Sequence, residues 1–176
     1  MAKKVRQSMA REVEANRLYQ RADDLWSQGK LRIAFRLFLA AAKADVVPAF
    51  NIVASFYDKG SGVRANERAA LHWYRRAYEA EKNPVAANNI GCIWRDRNQL
   101  TKARLWLRRA VKLGDDDANL NIAKIYLRTK DQEKAIHYLN KTRKSRRVTE
   151  GSKEEARLLL KQLKSGEAKR RVAGPF

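Results

Sequence analysis

Cysteine occurs once in these 176 residues, at Cys92, and histidine only twice, at His72 and His137. That excludes an internal disulfide framework and leaves too few ligands for a structural zinc site. Eight glycines and three prolines are too few for an all-β chain full of tight turns. No apolar run approaches the roughly 18 residues of a membrane-spanning helix. The opening MAKKVRQSMARE has no apolar stretch of the secretory-signal kind. This start, free of acid until Glu12, has some of the character of an organelle-targeting segment, but its amphipathic pattern continues past it. The expectation is a cytoplasmic chain. Acidic residues are scarce too: 19 Asp and Glu stand against 39 Lys and Arg, a formal net charge of +20.

What is present is apolar enough to fold. Hydrophobic residues make up 44% of the chain, above the range of disordered sequences, and the length suits about one to one and a half domains. Four segments share the pattern A-x-x-[L/W/Y]-[F/Y/L]-x-x-[A/T]: Ala34-Leu37-Phe38-Ala41, Ala70-Trp73-Tyr74-Ala77, Ala103-Trp106-Leu107-Ala110 and Ala135-Tyr138-Leu139-Thr142. Their starts at 34, 70, 103 and 135 are 36, 33 and 32 residues apart. Between them runs a second pattern: Ala49-Val53-Ala54-Phe56-Tyr57, Ala86-Ile90-Gly91-Ile93-Trp94 and Ala118-Ile122-Ala123-Ile125-Tyr126. Both spacings mark one face of an α-helix. Neither helix can bury its stripe alone, so two alternating helix types at this period predict helical hairpins that stack on one another. Small residues at 54, 91 and 123 let backbones approach, and Trp26, Trp73, Trp94 and Trp106 fall on the stripes as core anchors.

Punctuation agrees with nine helices, near 8–28, 31–44, 48–59, 66–81, 84–97, 99–113, 116–129, 131–144 and 152–164. Pro48 and Pro84 stand at helix starts, where a missing N–H costs little. Gly60, Gly62 and Gly114 end helices, and Asp115-Asp116-Asp117 opens the next with acid at the positive end of the dipole.

Residues 49–77 resemble a Sel1-like repeat, a family that joins an A-x-x-x-[L/V]-[G/A]-x-[L/F]-Y helix, a Y-x-x-G-x-G-V turn and an A-x-x-W-Y-x-x-A helix. Tyr57, Gly60, Gly62, Val63, Ala70, Trp73, Tyr74 and Ala77 occupy those places. The later repeats lack the Gly-x-Gly-Val turn and are more similar to tetratricopeptide repeats. The resemblance implies an all-α protein, an α-solenoid with a right-handed superhelix of about four helical-hairpin repeats and a C-terminal capping helix. The expected organisation is a basic lead-in at 1–14, repeats at 15–145, a capping helix at 146–164 and a basic, flexible tail at 165–176. Both families bind proteins or peptides, and neither is catalytic by itself.

The residues themselves offer no catalytic constellation. His72 and His137 each lie two positions after the opening alanine of a second-type helix, off the apolar stripe. Cys92 has no evident activating base. Gly60-Ser61-Gly62 lacks the Lys and helix context of a phosphate loop. Asp23-Asp24 and Glu154-Glu155 are adjacent carboxylates that project differently from a helix. The expectation is no enzyme, no metal or other cofactor, and no small-molecule substrate.

If first-type helices line a concave groove as in tetratricopeptide domains, the resemblance places Asn51, Ser55 and Lys59, then Asn88, Asn89 and Arg95, then Asn121, Lys124 and Arg128 on it. Cations interleaved with asparagines suit an acidic or carboxylate-bearing segment. A second candidate surface is a basic patch. Residues 141–176 hold 12 Lys and Arg against 4 Glu, with Lys141, Arg143, Lys144, Arg146 and Arg147 in one run and Lys169, Arg170 and Arg171 in the tail. The expected function is a non-enzymatic adaptor for an acidic protein or peptide, one version being an immunity or antitoxin-like neutralising protein. The rival is a nucleic-acid-associated protein using the basic patch and the outer faces of second-type helices, where Arg75, Arg76, Arg104, Arg108, Arg109 and Lys112 are expected.

Overall fold

The computed structural model describes residues 1–166, the side chains of residues 2–4 excepted. Among the described residues there are nine α-helices and no strand: α1 (Ala2–Ser27), α2 (Leu31–Lys43), α3 (Val47–Lys59), α4 (Glu67–Glu81), α5 (Pro84–Asp96), α6 (Leu100–Lys112), α7 (Ala118–Arg128), α8 (Gln132–Lys144) and α9 (Glu150–Ser165). They fall into two compact units, α1–α4 up to Lys82 and α5–α9 from Asn83.

Burial follows the repeat. The small residues that open and close each second-type helix are all buried: Ala34 and Ala41 in α2, Ala70 and Ala77 in α4, Ala103 and Ala110 in α6, Ala135 and Thr142 in α8. Between them lie the fully buried Phe38, Tyr74, Leu107 and Leu139. Thr142 stands where the other helices carry alanine, and its hydroxyl is satisfied by donating to the Tyr138 carbonyl at 3.1 Å. First-type helices bury Ala49, Val53 and Ala54, then Ala86, Ile90 and Gly91, then Ala118, Ile122 and Ala123. At Gly91 a Cβ would stand 2.6 Å from Leu107 Cγ, so α5 and α6 meet at a distance that only glycine permits.

Three of the hairpins turn in the same way. Residues 28–30, 97–99 and 129–131 each connect a first-type to a second-type helix, with Gly29, Asn98 and Lys130 left-handed at φ of 74°, 58° and 60°. The α3–α4 connection is longer. Gly60 closes α3 in the left-handed region, and Asn66 caps α4 by accepting the Ala69 N–H at 3.0 Å. A Cβ at Gly62 would stand 2.7 Å from the carbonyl carbon of Leu31, which accounts for glycine where this turn crosses the start of α2.

Four sequence expectations need adjustment. The first helix begins at Ala2, well before residue 8, and its leading turns expose Val5, Met9 and Val13 until Ala15 reaches the core. A helix once nucleated extends at little cost without packing. The Asp115–Asp117 run forms a turn, with Asp115 Oδ1 accepting the Asp117 N–H at 3.1 Å, and α7 starts only at Ala118. Trp26 packs its ring edge on Phe38 and Phe56 but stays 45% exposed, so it is a shared wall and not a buried anchor. Arg76, expected on an outer face, pairs with Asp45 and lies over the Phe50 ring at 4.2 Å.

Candidate functional site

Within the second unit, α5 and α7 bring four of the nine expected groove residues together, Asn88, Arg95, Asn121 and Arg128. Asn121 Nδ2 donates to Asn88 Oδ1 at 2.9 Å, and Arg95 Nη1 donates to Asn121 Oδ1 at 2.6 Å. Arg95 Nε also donates to Asp96 Oδ1 at 2.9 Å. Asn88 hydrogen-bonds Asp115 as well, so a ladder runs from the Asp115 turn across α5 and α7 to the last turn of α5. Arg128 donates to the Arg95 carbonyl at 3.0 Å and to Asn98 Oδ1 at 3.4 Å, closing the carbonyl end of α5. Lys124 pairs with Glu155 of α9 at 2.8 Å. The Asn89 side chain is half-buried and makes no hydrogen bond among the described residues.

The electrostatics of the ladder follow from its burial. The Arg95 side chain is only 18% exposed. Burial works against its charge, but the Asp96 hydrogen bond and the nearby Asp96 and Glu155 carboxylates outweigh it and hold the guanidinium above its ordinary value. Two of its five N–H donors are taken by Asn121 and Asp96; the others have no acceptor among the described residues. The Asp115 carboxyl is pushed up, first by burial and further by the Asp117 charge, against the opposing hydrogen bond from Asn88.

The remaining expected groove positions, Asn51, Ser55 and Lys59, lie on α3 in the first unit. Asn51 and Ser55 are half-buried, Lys59 is exposed in the last turn, and Asn51 Oδ1 is buried without a hydrogen-bond partner among the described residues. The basic patch divides. Arg147 is pinned to Asp116 by Nε at 3.2 Å and Nη2 at 3.1 Å, while Ser145 donates to the same carboxylate at 2.6 Å. Lys141 lies over the Tyr138 ring at 5.4 Å, and Lys144 and Arg146 are exposed. Lys169, Arg170 and Arg171 lie outside the described residues. Sequence reasoning missed three acids that organise these side chains: Asp115 on Asn88, Asp116 on Arg147 and Glu155 on Lys124. The Asp115–Asp117 run is the available signal, because acids there serve a turn as well as the helix dipole.

No described helix is long and apolar enough to cross a membrane. The Sel1 repeat family profile matches residues 51–82, 95–115 and 118–143, covering units on both sides of the α4–α5 boundary. The chain carries Sel1 repeats. Among solved structures, it is similar to a Sel1 repeat protein from Oxalobacter formigenes, with 26% identity and a TM-score of 0.60 over 72% of this chain and 55% of that one. A protective antigen present in uropathogenic Escherichia coli strains, displaying an SLR fold, aligns over 72% of this chain and 30% of its own, with 20% identity and a TM-score of 0.62, a likeness of fold alone. The Sel1-repeat chain thus spans about half the length of the first of these and less than a third of the second. No curated protein matches it significantly. Sel1 repeats are in general non-catalytic scaffolds that mediate protein–protein interaction.

Proposed function

We propose that this Sel1-repeat chain is a protein-binding adaptor that takes an acidic segment of its partner on the α5–α7 ladder. One observation carries the reading: Arg95 is a largely buried cation, fixed by Asn121 and Asp96, that still has N–H donors to offer. A donor held this way loses little side-chain entropy on binding, and a charge-assisted bond to a carboxylate is about twice as strong as a neutral one. Asn88 and Asn121 each keep one amide hydrogen beyond those used in the ladder to offer a main-chain carbonyl, and Arg128 adds a second cation. The chain's excess of Lys and Arg speeds encounter with an acidic partner. Neutralisation of an acidic partner in the manner of an immunity protein is one use of such a surface.

The test is affinity capture from native cells with the intact chain and with Arg95→Glu, washed at graded salt. An acidic protein retained by the intact chain and lost by about tenfold or more with Arg95→Glu supports the reading. Equal capture by both, or recovery of nucleic acid in place of protein, overturns it.

A further inference from the structure

The ladder is not where this unit presents its least compensated charge. α8 and α9 pack through Leu139 and Ala156, with Leu159, Leu160 and Leu163 against them. Beside that seam lies an open groove of about 420 Å³. Ile136 and Arg143 reach it from α8, and Arg157, Leu160, Lys161 and Lys164 from α9. These are i, i+7 and i, i+3, i+4, i+7 positions, so each helix contributes one continuous stripe. The floor is apolar, with Ile136 40% exposed, and four cations rim it with no acid among the lining residues. Arg157 pairs with Glu154 at 3.0 Å, but Lys161 and Lys164 make no ion pair among the described residues.

We infer that this groove docks a short acidic segment of a partner protein through one or two apolar anchor residues seated on Ile136 and Leu160, with its carboxylates on the four cations. Charge complementarity selects this occupant. A second copy of a chain of net charge +20 would be repelled. A nucleic-acid strand would leave the apolar floor unused, and no aromatic side chain lines the groove for base stacking. α9 then serves both surfaces: Glu155 on one side holds Lys124 of the ladder, and Arg157 and Lys161 on the other line the groove. The inference rests on the reading of the chain as a protein-binding adaptor, but not on the ladder being its contact.

Fluorescence anisotropy with synthetic peptides tests it on the full chain at about 150 mM salt. The probe is a Glu-rich helical peptide with two leucines one turn apart; its controls are the same peptide with serines for the leucines, and a single-stranded RNA of equal charge. The expected result is saturable binding of the leucine peptide and a loss of about tenfold or more for the serine peptide. A similar loss is expected with Arg143→Glu plus Lys161→Glu, and with the surface change Ile136→Ser, while Arg68→Glu, an exposed position of α4 outside both surfaces, binds normally. Circular dichroism and melting identical to the parent chain separate these losses from misfolding. Equal binding of the serine peptide, tighter binding of the RNA, or binding unchanged by Arg143→Glu plus Lys161→Glu overturns the groove. Ladder-dependent capture from cells together with indifference to the peptides overturns the groove and leaves the adaptor reading standing; failure of both overturns both.

Discussion

Glycine at position 91 is the sharpest point at which the packing of this chain can be tested. A Cβ there would stand 2.6 Å from Leu107 Cγ, 2.7 Å from Cδ2 and 3.2 Å from the Leu107 backbone nitrogen. Carbon atoms pack best at about 3.5–4.0 Å, so Gly91→Ala requires the Leu107 side chain to withdraw by about 1 Å. Leu107 is fully buried, and the close nitrogen means that the α6 backbone must move as well. Overpacking of this kind costs about 1–3 kcal/mol. Against it stands the helix-propensity gain of alanine over glycine, about 0.8–1 kcal/mol. The net expectation for Gly91→Ala is a destabilisation of roughly 0–2 kcal/mol, and for Gly91→Leu a larger one. Leu107→Ala alone should cost about 2–5 kcal/mol by leaving a cavity. Because the new methyl would enter that cavity, the double variant should be more stable than the sum of the singles by about 1 kcal/mol or more. Urea denaturation followed by far-ultraviolet circular dichroism gives the four midpoints of the cycle. A raised midpoint for Gly91→Ala, or strict additivity in the double variant, would refute the contact between α5 and α6 as described.

Three further outcomes follow from other parts of the structure. Lys130 is exposed and left-handed at φ 60°, a conformation costing a side chain about 1–2 kcal/mol, more than the roughly 0.5–1 kcal/mol of extra backbone entropy that glycine loses on folding, so Lys130→Gly should raise the melting midpoint; a fall of a degree or more would show the turn to be unstrained. The Asp115 carboxyl is raised by burial, so its contribution is fully present below the ordinary carboxylate pKa and is lost as pH rises through the raised value. The melting temperature of Asp115→Asn minus that of the parent chain should therefore increase between about pH 3.5 and pH 6, and a difference that shrinks with pH contradicts the assigned burial. Asp116 accepts from Ser145 and from two nitrogens of Arg147, so Asp116→Ala should cost about 1–3 kcal/mol and raise amide exchange in the 145–149 connection and α9; exchange unchanged there would show that the carboxylate does not hold the connection.

The sequence by itself determined the helices, their alternation and the solenoid class, because each rests on a local property. An apolar stripe at i, i+3, i+4 and i+7, closed at both ends by small residues, is readable within eight positions, as at Ala70–Ala77. Glycine at 91 and the Gly60–Gly62 turn were legible for the same reason: backbone approach and positive φ leave their mark in residue type. The tertiary structure decided where the charges go. Arg95, Lys124 and Arg147 read alike in sequence as cations on helices or loops, yet their partners Asn121, Glu155 and Asp116 lie 26, 31 and 31 positions away. Long polar side chains choose partners by reach across packed helices, and no periodicity in the chain encodes that reach. The α8–α9 groove is hidden likewise. Its cations belong to two stripes that each look like a solvated helix face, and only the packing of α9 on Leu139 through Ala156 sets them around one apolar floor.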